Sequence, residues 1–398
     1  MINNSIRGKI AVAGIGEVPT GKYPDRDFIE AALMASREAI LDAGIKKDEI
    51  DVVMPTGVIF NRHANTDMVF SRMIDELGLQ YKAKNNLMVF NGGSSSSTML
   101  ETAGSMIISG LAKVVLCVHT DRLATGIDIN EAIDLFATLG ISAEFEVPYG
   151  LNFSAVAGLI TQRYMYETGT TEEEIASVCV SNRKWAELNK NAMFRKPLTI
   201  DEVLKSKILS SPLHAKESNV LADGAAAFIV TSWDYAKKIT KTPIALLGTG
   251  SVCTHYSLAQ ERDVTRAGYD VASRKAYEMA GVTAKDIDIA EIYDSYPVWS
   301  LLTLEGCGLC NRGEAGKFVK EGNTWPGGKL PMTTNGGMLS QGHTGAGGGF
   351  AVFVETIRQL MGKAGERQVK NCNIALETSV GGTYMDAYVS VLGTKGVV

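Results

Sequence analysis

Four consecutive serines, Ser94 to Ser97, follow Gly92 and Gly93 and lead into an apolar, helix-like segment in the stretch NGGSSSSTML. Serine hydroxyls in such a place accept hydrogen bonds from the free N–H groups of a helix's first turn, so capping is one reading. The other is an active-site helix N-terminus, where backbone donors and the helix dipole meet negative charge on a substrate. A serine nucleophile would need an adjacent base held by a third group, and no such triad can be read from the sequence. The six cysteines, Cys117, Cys179, Cys253, Cys307, Cys310 and Cys372, are scattered, which argues against a disulfide framework. Cys307 and Cys310 form a lone CGLC without the second pair or nearby histidines of a structural zinc site. They are expected to be ordinary thiols, and no metal site is expected.

The elements that must position this chemistry come in two copies. Ala35–Asp51, ASREAILDAGIKKDEID, and Ala272–Asp288, ASRKAYEMAGVTAKDID, are identical at eight of seventeen positions without a gap. Each reads as an amphipathic helix closed by glycine, Gly44 or Gly281, and followed by an apolar strand. Upstream, KIAVAGIGEV and PIALLGTGSV are paired apolar runs ending in Gly-x-Gly. They lack the third glycine and the acidic residue of a dinucleotide site. TMLETAGSMIISG and AVFVETIRQLMG are a second pair of helices, each leading into a strand. The pattern is a duplicated α/β chain whose halves each run strand–helix–strand–helix–strand, which favours parallel sheets with helices around them. The halves are expected at 1–240 and 241–398, with a loop-rich insertion at about 122–215 in the first. DGAAAFIV, from Asp223, reads as a turn into the buried strand that closes that half.

A chain of 398 residues can hold two substantial cores. A net charge of -5 without a basic block argues against nucleic acid or a membrane surface as partner. No apolar run reaches the ~18 residues that span a bilayer, and the N-terminal residues have no signal-peptide core. A soluble, cytoplasmic protein is expected.

A duplicated α/β pattern carrying NGGMLSQGHTGAGGG (Asn335–Gly349) resembles the thiolase superfamily. The glycine- and serine-rich helix start at Gly92, SSPLHAKESNVLADGAAA and EIYDSYP support the resemblance. It covers essentially the whole chain and is nearest the sterol-carrier-protein type thiolases and steroid side-chain aldolases. It implies a five-layered αβαβα thiolase fold and carbon–carbon chemistry beside the thioester of an acyl-CoA. Coenzyme A is then part of the substrate or a co-substrate, with no tightly bound cofactor. It further implies a homodimer, with a small zinc-ribbon and OB-fold companion giving a heterotetramer.

A thiolase needs a nucleophilic cysteine and a second residue, typically a cysteine, for the α-proton. The alignment puts Gly93 at the first position, or Ser94 after a slip of one, with no cysteine within twenty residues. At the His-Asp-Cys-Phe loop of the sterol-carrier type stand Tyr293, Asp294, Ser295 and Tyr296. Both cysteines are gone, which implies that the serines cap, the backbone donors at and after Gly93 still face the site, and the lost side chain leaves room for a bulkier substrate. By the same resemblance His343 is part of the thioester oxyanion hole, Gly381 supplies a backbone donor to the acyl oxygen, and Tyr293 moves the proton at the substrate hydroxyl. An ordinary phenol is a poor base at neutral pH, so a neighbour must tune it. Asp294 is a candidate to orient it. The aldolases' second tyrosine falls on Gly347, and His63, in a loop of the first half, is a candidate replacement. His119, His214 and His255 take no role from sequence. Three functions follow: retro-aldol cleavage of a β-hydroxyacyl-CoA, an atypical thiolase cleaving a bulky β-ketoacyl-CoA with CoA, or a non-catalytic acyl-CoA or lipid-binding subunit.

Overall fold

The computed structural model describes residues 6–59, 68–128, 130, 131, 135 and 140–398. Its strands are β1 (Ile10–Gly21), β2 (Val52–Pro55), β3 (Asn85–Asn86), β4 (Val114–Arg122), β5 (Ile208–Ser210), β6 (Leu213–His214), β7 (Asp223–Ser232), β8 (Ile244–Cys253), β9 (Ile289–Glu291), β10 (Ile374–Ser379) and β11 (Asp386–Gly393). The helices of the first part are α1 (Phe28–Ala43), α2 (Val69–Glu76), α3 (Ser95–Ile108), α4 (Phe153–Thr168), α5 (Glu172–Glu187), α6 (Ile200–Leu204) and α7 (Trp233–Ile239). Those of the second are α8 (Tyr269–Ala280), α9 (Pro297–Gly306), α10 (Ala315–Lys320), α11 (Gly337–Ser340) and α12 (Gly348–Leu360). Among the described residues no helix is long and apolar enough to cross a membrane.

Nine strands form one sheet in the order β3-β2-β4-β7-β1-β8-β11-β10-β9. The expected α/β class holds, but the sheet is mixed. Only β3–β2–β4 and β9–β10 are parallel, while β4, β7, β1, β8, β11 and β10 pair antiparallel. For β10 and β11 the reason is connection length: a parallel neighbour needs a crossover of a dozen or more residues, and β10 reaches β11 through the short turn 380–385.

Alternation along the strands divides the core in two. Ala11 and Ala13 of β1 join Ala35 and Ala39 of α1, whereas Ile10 and Val12 join Met99 and Leu100 of α3 and Phe350 and Phe353 of α12. So α1 and α8 cover one face and the packed pair α3 and α12 the other. The Gly-x-Gly pairs exist for this layering. A Cβ at Gly16 would stand 2.1 Å from the Ala35 carbonyl oxygen, and one at Gly250 would stand 2.1 Å from that of Ala272. Ala35 and Ala272 are the matching first residues of the sequence repeat, so the same close helix–strand contact occurs twice.

The insertion is less irregular than expected. It carries α4 and α5, each of 16 residues. Asn152 caps α4 by accepting from Ala155 N–H, and Thr171 with Glu174 forms a capping box on α5.

Candidate active site

Four chain segments converge on one cavity of about 1150 Å³. They are the turn before α3 (Asn91, Gly92, Gly93), the loop between β9 and α9 (Tyr293, Ser295, Tyr296), the loop between α11 and α12 (His343, Gly345, Ala346), and the turn from β10 into β11 (Gly381, Gly382, Tyr384, Asp386). Phe153 and Leu209 from the insertion wall it as well. The helix starts and turns that aim at this space all lie at one end of the sheet's strands.

Tyr293 and His343 meet there. The Gly345 N–H donates to His343 Nδ1 at 3.3 Å, which leaves the ring proton of the neutral imidazole on Nε2. Burial pushes the His343 pKa down to about 4, so the ring is neutral near pH 7. Nε2–H therefore donates to Tyr293 Oη, 3.1 Å away, and leaves the phenol's own proton to donate. Burial raises the Tyr293 pKa well above that of a free phenol, and the carboxylates of Asp294 and Asp386 raise it further. This reverses the expected direction of tuning. Tyr293 is held as a proton donor.

Two glycines show what became of the missing side chains. A Cβ at Gly93 would stand 2.4 Å from Tyr293 Cε2 and 2.4 Å from the Val380 carbonyl oxygen. The space expected to be freed for a bulkier substrate is therefore filled by the Tyr293 ring. A Cβ at Gly347 would stand 1.9 Å from His119 Cδ2 and Nε2. His119, buried behind the cavity wall, takes the room where the aldolases' second tyrosine would begin. It is pinned by Thr56 Oγ1 at Nδ1 (3.1 Å) and by the Thr344 carbonyl at Nε2 (3.1 Å). Burial lowers its pKa to about 3.

The serines do not cap. No side-chain bond caps the start of α3. Ser94 Oγ donates to Asp386 Oδ2 (2.9 Å), with the Asn91 carbonyl oxygen 2.8 Å away as the alternative acceptor for the same proton, Ser95 Oγ donates to the Gly92 carbonyl (2.7 Å), and Ser97 Oγ bonds Ser379 Oγ (2.6 Å) and Glu377. Ser96 Oγ is buried without a partner. These hydroxyls brace the turn from behind.

Of the expected backbone donors, Gly93 lines the cavity. The Ser94 N–H is taken by the Asn91 carbonyl at 3.2 Å. The Gly381 N–H, expected to face the acyl oxygen, donates instead to Asp386 Oδ1 at 2.6 Å. A carboxylate thus fills the place assigned to an oxyanion. Asp386 stands five residues after Gly381 in sequence, but it opens β11 and reaches Ser94 only through the fold.

Asp294 does not orient Tyr293. Its carboxylate accepts from the Met338 N–H (2.9 Å), the Leu339 N–H (3.3 Å) and the Asn182 amide, so it ties down α11 on the way to His343. Burial raises its pKa to about 7. His63 lies outside the described residues. Tyr384, which sequence reasoning missed, stacks on Trp299, hydrogen-bonds Ser295 Oγ, and holds a left-handed φ of 65°. An ordered turn that forces a tyrosine into that conformation is a signal only coordinates reveal.

The family description "Thiolase C-terminal domain-like" matches residues 250–394. The benzoylsuccinyl-CoA thiolase subunit BbsB of Thauera aromatica is 30% identical over 373 residues, 91% of each chain. An acetyl-CoA acetyltransferase of Methanothermobacter thermautotrophicus is 29% identical over 383 residues, covering 96% of this chain and 98% of that one. The solved Ltp2-ChsH2(DUF35) aldolase superposes with a TM-score of 0.85 at 26% identity, over 98% of both chains. With this length of likeness, on this duplicated fold, the chain belongs to the thiolase superfamily and is an enzyme of acyl-CoA carbon–carbon bond chemistry.

Proposed function

We propose that the enzyme cleaves a β-hydroxyacyl-CoA by a retro-aldol reaction, without a covalent intermediate. The observation that carries this is the ring of Tyr293 packed against Gly93, where a Cβ would meet it at 2.4 Å. With that place filled, the chemistry has to run through hydrogen-bond donors. In the reaction the Cα–Cβ bond breaks, the β-carbon leaves as an aldehyde or ketone, and the electron pair moves into the enolate of the shorter acyl-CoA. Tyr293 O–H is the donor for the thioester oxygen as charge develops on it, and His343 Nε2–H backs it by donating to the phenol oxygen. The chain of bonds from the Gly345 N–H through the imidazole to the phenol polarises each donor in turn. A neutral imidazole and a phenol of raised pKa keep both protons in place at neutral pH.

The site would lie between two halves, 1–240 and 241–398, and take the acyl-CoA as substrate. The similar aldolase is named for two components, Ltp2 and ChsH2(DUF35). By analogy the chain would work as a homodimer with a small companion of zinc-ribbon and OB-fold type.

One observation favours a second reading. Cys253 lines the same cavity outside any disulfide, which is the placement a thiolytic enzyme with a displaced nucleophile would need. A paired assay separates the two. β-Hydroxyacyl-CoAs without free CoA and matched β-ketoacyl-CoAs with CoA are offered to the purified protein, and products are followed by mass spectrometry. Aldehyde or ketone release from the hydroxy substrates alone is the expected result. CoA-dependent cleavage of the keto substrates, with acyl mass on the Cys253 peptide, would overturn it.

A further inference from the structure

The retro-aldol reading needs a group to receive the β-hydroxyl proton, and Tyr293 is held as a donor. Asp386 lines the same cavity. Its carboxylate is fixed from behind by the Gly381 N–H on Oδ1 (2.6 Å) and by Ser94 Oγ on Oδ2 (2.9 Å). Each oxygen so held keeps a further lone pair, and the residue lines the cavity. The turn is built around this carboxylate: a Cβ at Gly381 would stand 3.1 Å from Asp386 Oδ2 and 2.4 Å from the Asn91 carbonyl oxygen. A side chain at 381 would push the acid out of place.

We propose, resting on the retro-aldol reading, that Asp386 is the catalytic base that takes the proton of the substrate's β-hydroxyl as the Cα–Cβ bond breaks. The oxygen's electron pair becomes the new carbonyl bond, and the pair of the broken bond enters the enolate. The proton then passes from Asp386 to the enolate α-carbon once the carbonyl product has moved away. Substrate and products differ by no atom and no electron, so no co-reactant is needed. The same placement sets the substrate class. A β-hydroxyl donates a hydrogen bond to a carboxylate, whereas the oxygen of a β-ketone meets it as lone pair against charge. An acyl-enzyme oxyanion would likewise meet a negative charge where the acyl oxygen is bound in the family.

The titratable groups facing Asp386 are few. Tyr293 from the β9–α9 loop and Tyr269 at the start of α8 both feel its charge, and Cys253 is its partner in the β8–β11 register. Burial raises the Asp386 pKa, opposed by its two hydrogen bonds, which makes the carboxylate a stronger base than an exposed one.

The test measures kcat, KM and pH profiles for the full-length enzyme and three variants on a cleaved β-hydroxyacyl-CoA. Asp386→Asn is expected to lose about 10²–10⁴ in kcat with KM within about threefold, and to lose the acid limb of kcat/KM. Asp386→Glu is expected to recover part of the rate. Ser94→Ala removes one donor to the carboxylate and leaves the acid itself, so its acid limb should move to higher pH. This variant decides the matter if Asp386→Asn does not fold. An Asp386→Asn enzyme within about threefold of wild type, or a limb that Ser94→Ala does not move, overturns the base and leaves the retro-aldol reading standing. A wild type that cleaves only β-ketoacyl-CoAs with CoA overturns both.

Discussion

The two central helices, α3 and α12, begin at the same cavity and are built in opposite ways. The start of α3 is crowded with hydroxyls that turn back to brace carbonyls and carboxylates: Ser94 on Asp386, Ser97 on Glu377 and Ser379. The start of α12 has almost no side chains. Gly347 faces the His119 ring, Gly348 faces His343, and a Cβ on Gly349 would stand 2.0 Å from the Gly93 carbonyl oxygen. Glycine at one helix lets two imidazoles and a neighbouring backbone come close, and serine at the other supplies the hydrogen bonds that hold acids in place. The glycine-rich run is thus a packing device for histidines, and the serine run is a rack for carboxylates.

If the serine end holds acids, the buried acid beneath it should govern stability with pH. Glu377 is fully buried on β10, and burial pushes its pKa up to about 7 from the ordinary 4.5, opposed by its bonds from Ser390 and Ser97. A carboxyl with a raised folded-state value contributes stability that is fully present below its unfolded value and is lost as pH rises through the folded one. Between about pH 4.5 and 7 the wild type should therefore lose stability through this group. Glu377→Gln stays neutral throughout, so its advantage over wild type should grow across that window, approaching about 3 kcal/mol at pH 8 at roughly 1.4 kcal/mol per pH unit. Asp294 titrates in the same window but cancels in the difference. Denaturant unfolding at several pH values checks this, and a difference flat in pH would sink the idea that Glu377 is held neutral by its surroundings.

The glycine end should fail by crowding. Gly347 has φ -89°, so its backbone accepts alanine. The His119 ring stands in the way, at 1.9 Å, and that ring is held at both nitrogens. Gly347→Ala is expected to cost about 1–3 kcal/mol by overpacking. Adding His119→Ala should make the double variant cost less than the sum of the singles, because each single damages the same contact. Strict additivity in thermal or chemical unfolding would show that the two residues do not share that space.

Much of this was open to a reader of the sequence, and the rest has identifiable physical causes. The duplication is visible in Ala35–Asp51 and Ala272–Asp288, and so are the glycines that end α1 and α8. The purpose of Gly14, Gly16, Gly248 and Gly250 was hidden, because it depends on how closely a helix approaches a strand. The capping signals of α4 and α5, Asn152 and Thr171–Glu174, are local and were there to be read even though the insertion looked loop-rich. Tyr293 and His343 are singled out by the motifs of the resemblance, and the fold brings the two within hydrogen-bond reach. Asp386 had no local mark: it is 292 residues from Ser94, and only the antiparallel return of β11 brings the two together. His119 was silent for the same reason, since its meaning is a collision with a glycine on another element.

The smallest predicted effect is the most discriminating test of the serine end. Ser96 and Ser97 are adjacent, buried and chemically identical, yet only one is bonded. Ser97→Ala would strip Glu377 and Ser379 of a partner, and leaving buried polar groups unsatisfied costs about 1–3 kcal/mol. Ser96→Ala removes a hydroxyl with nothing to lose, so the change should be within about 0.5 kcal/mol of neutral or slightly stabilising. Unfolding midpoints of the two single variants, measured side by side at pH 7, give the answer. Equal losses would mean that the four serines act alike as helix-start residues. Unequal losses in the stated order would mean that α3 keeps its hydroxyls for the acids behind the cavity, and that Ser96 is tolerated because its neighbours are needed.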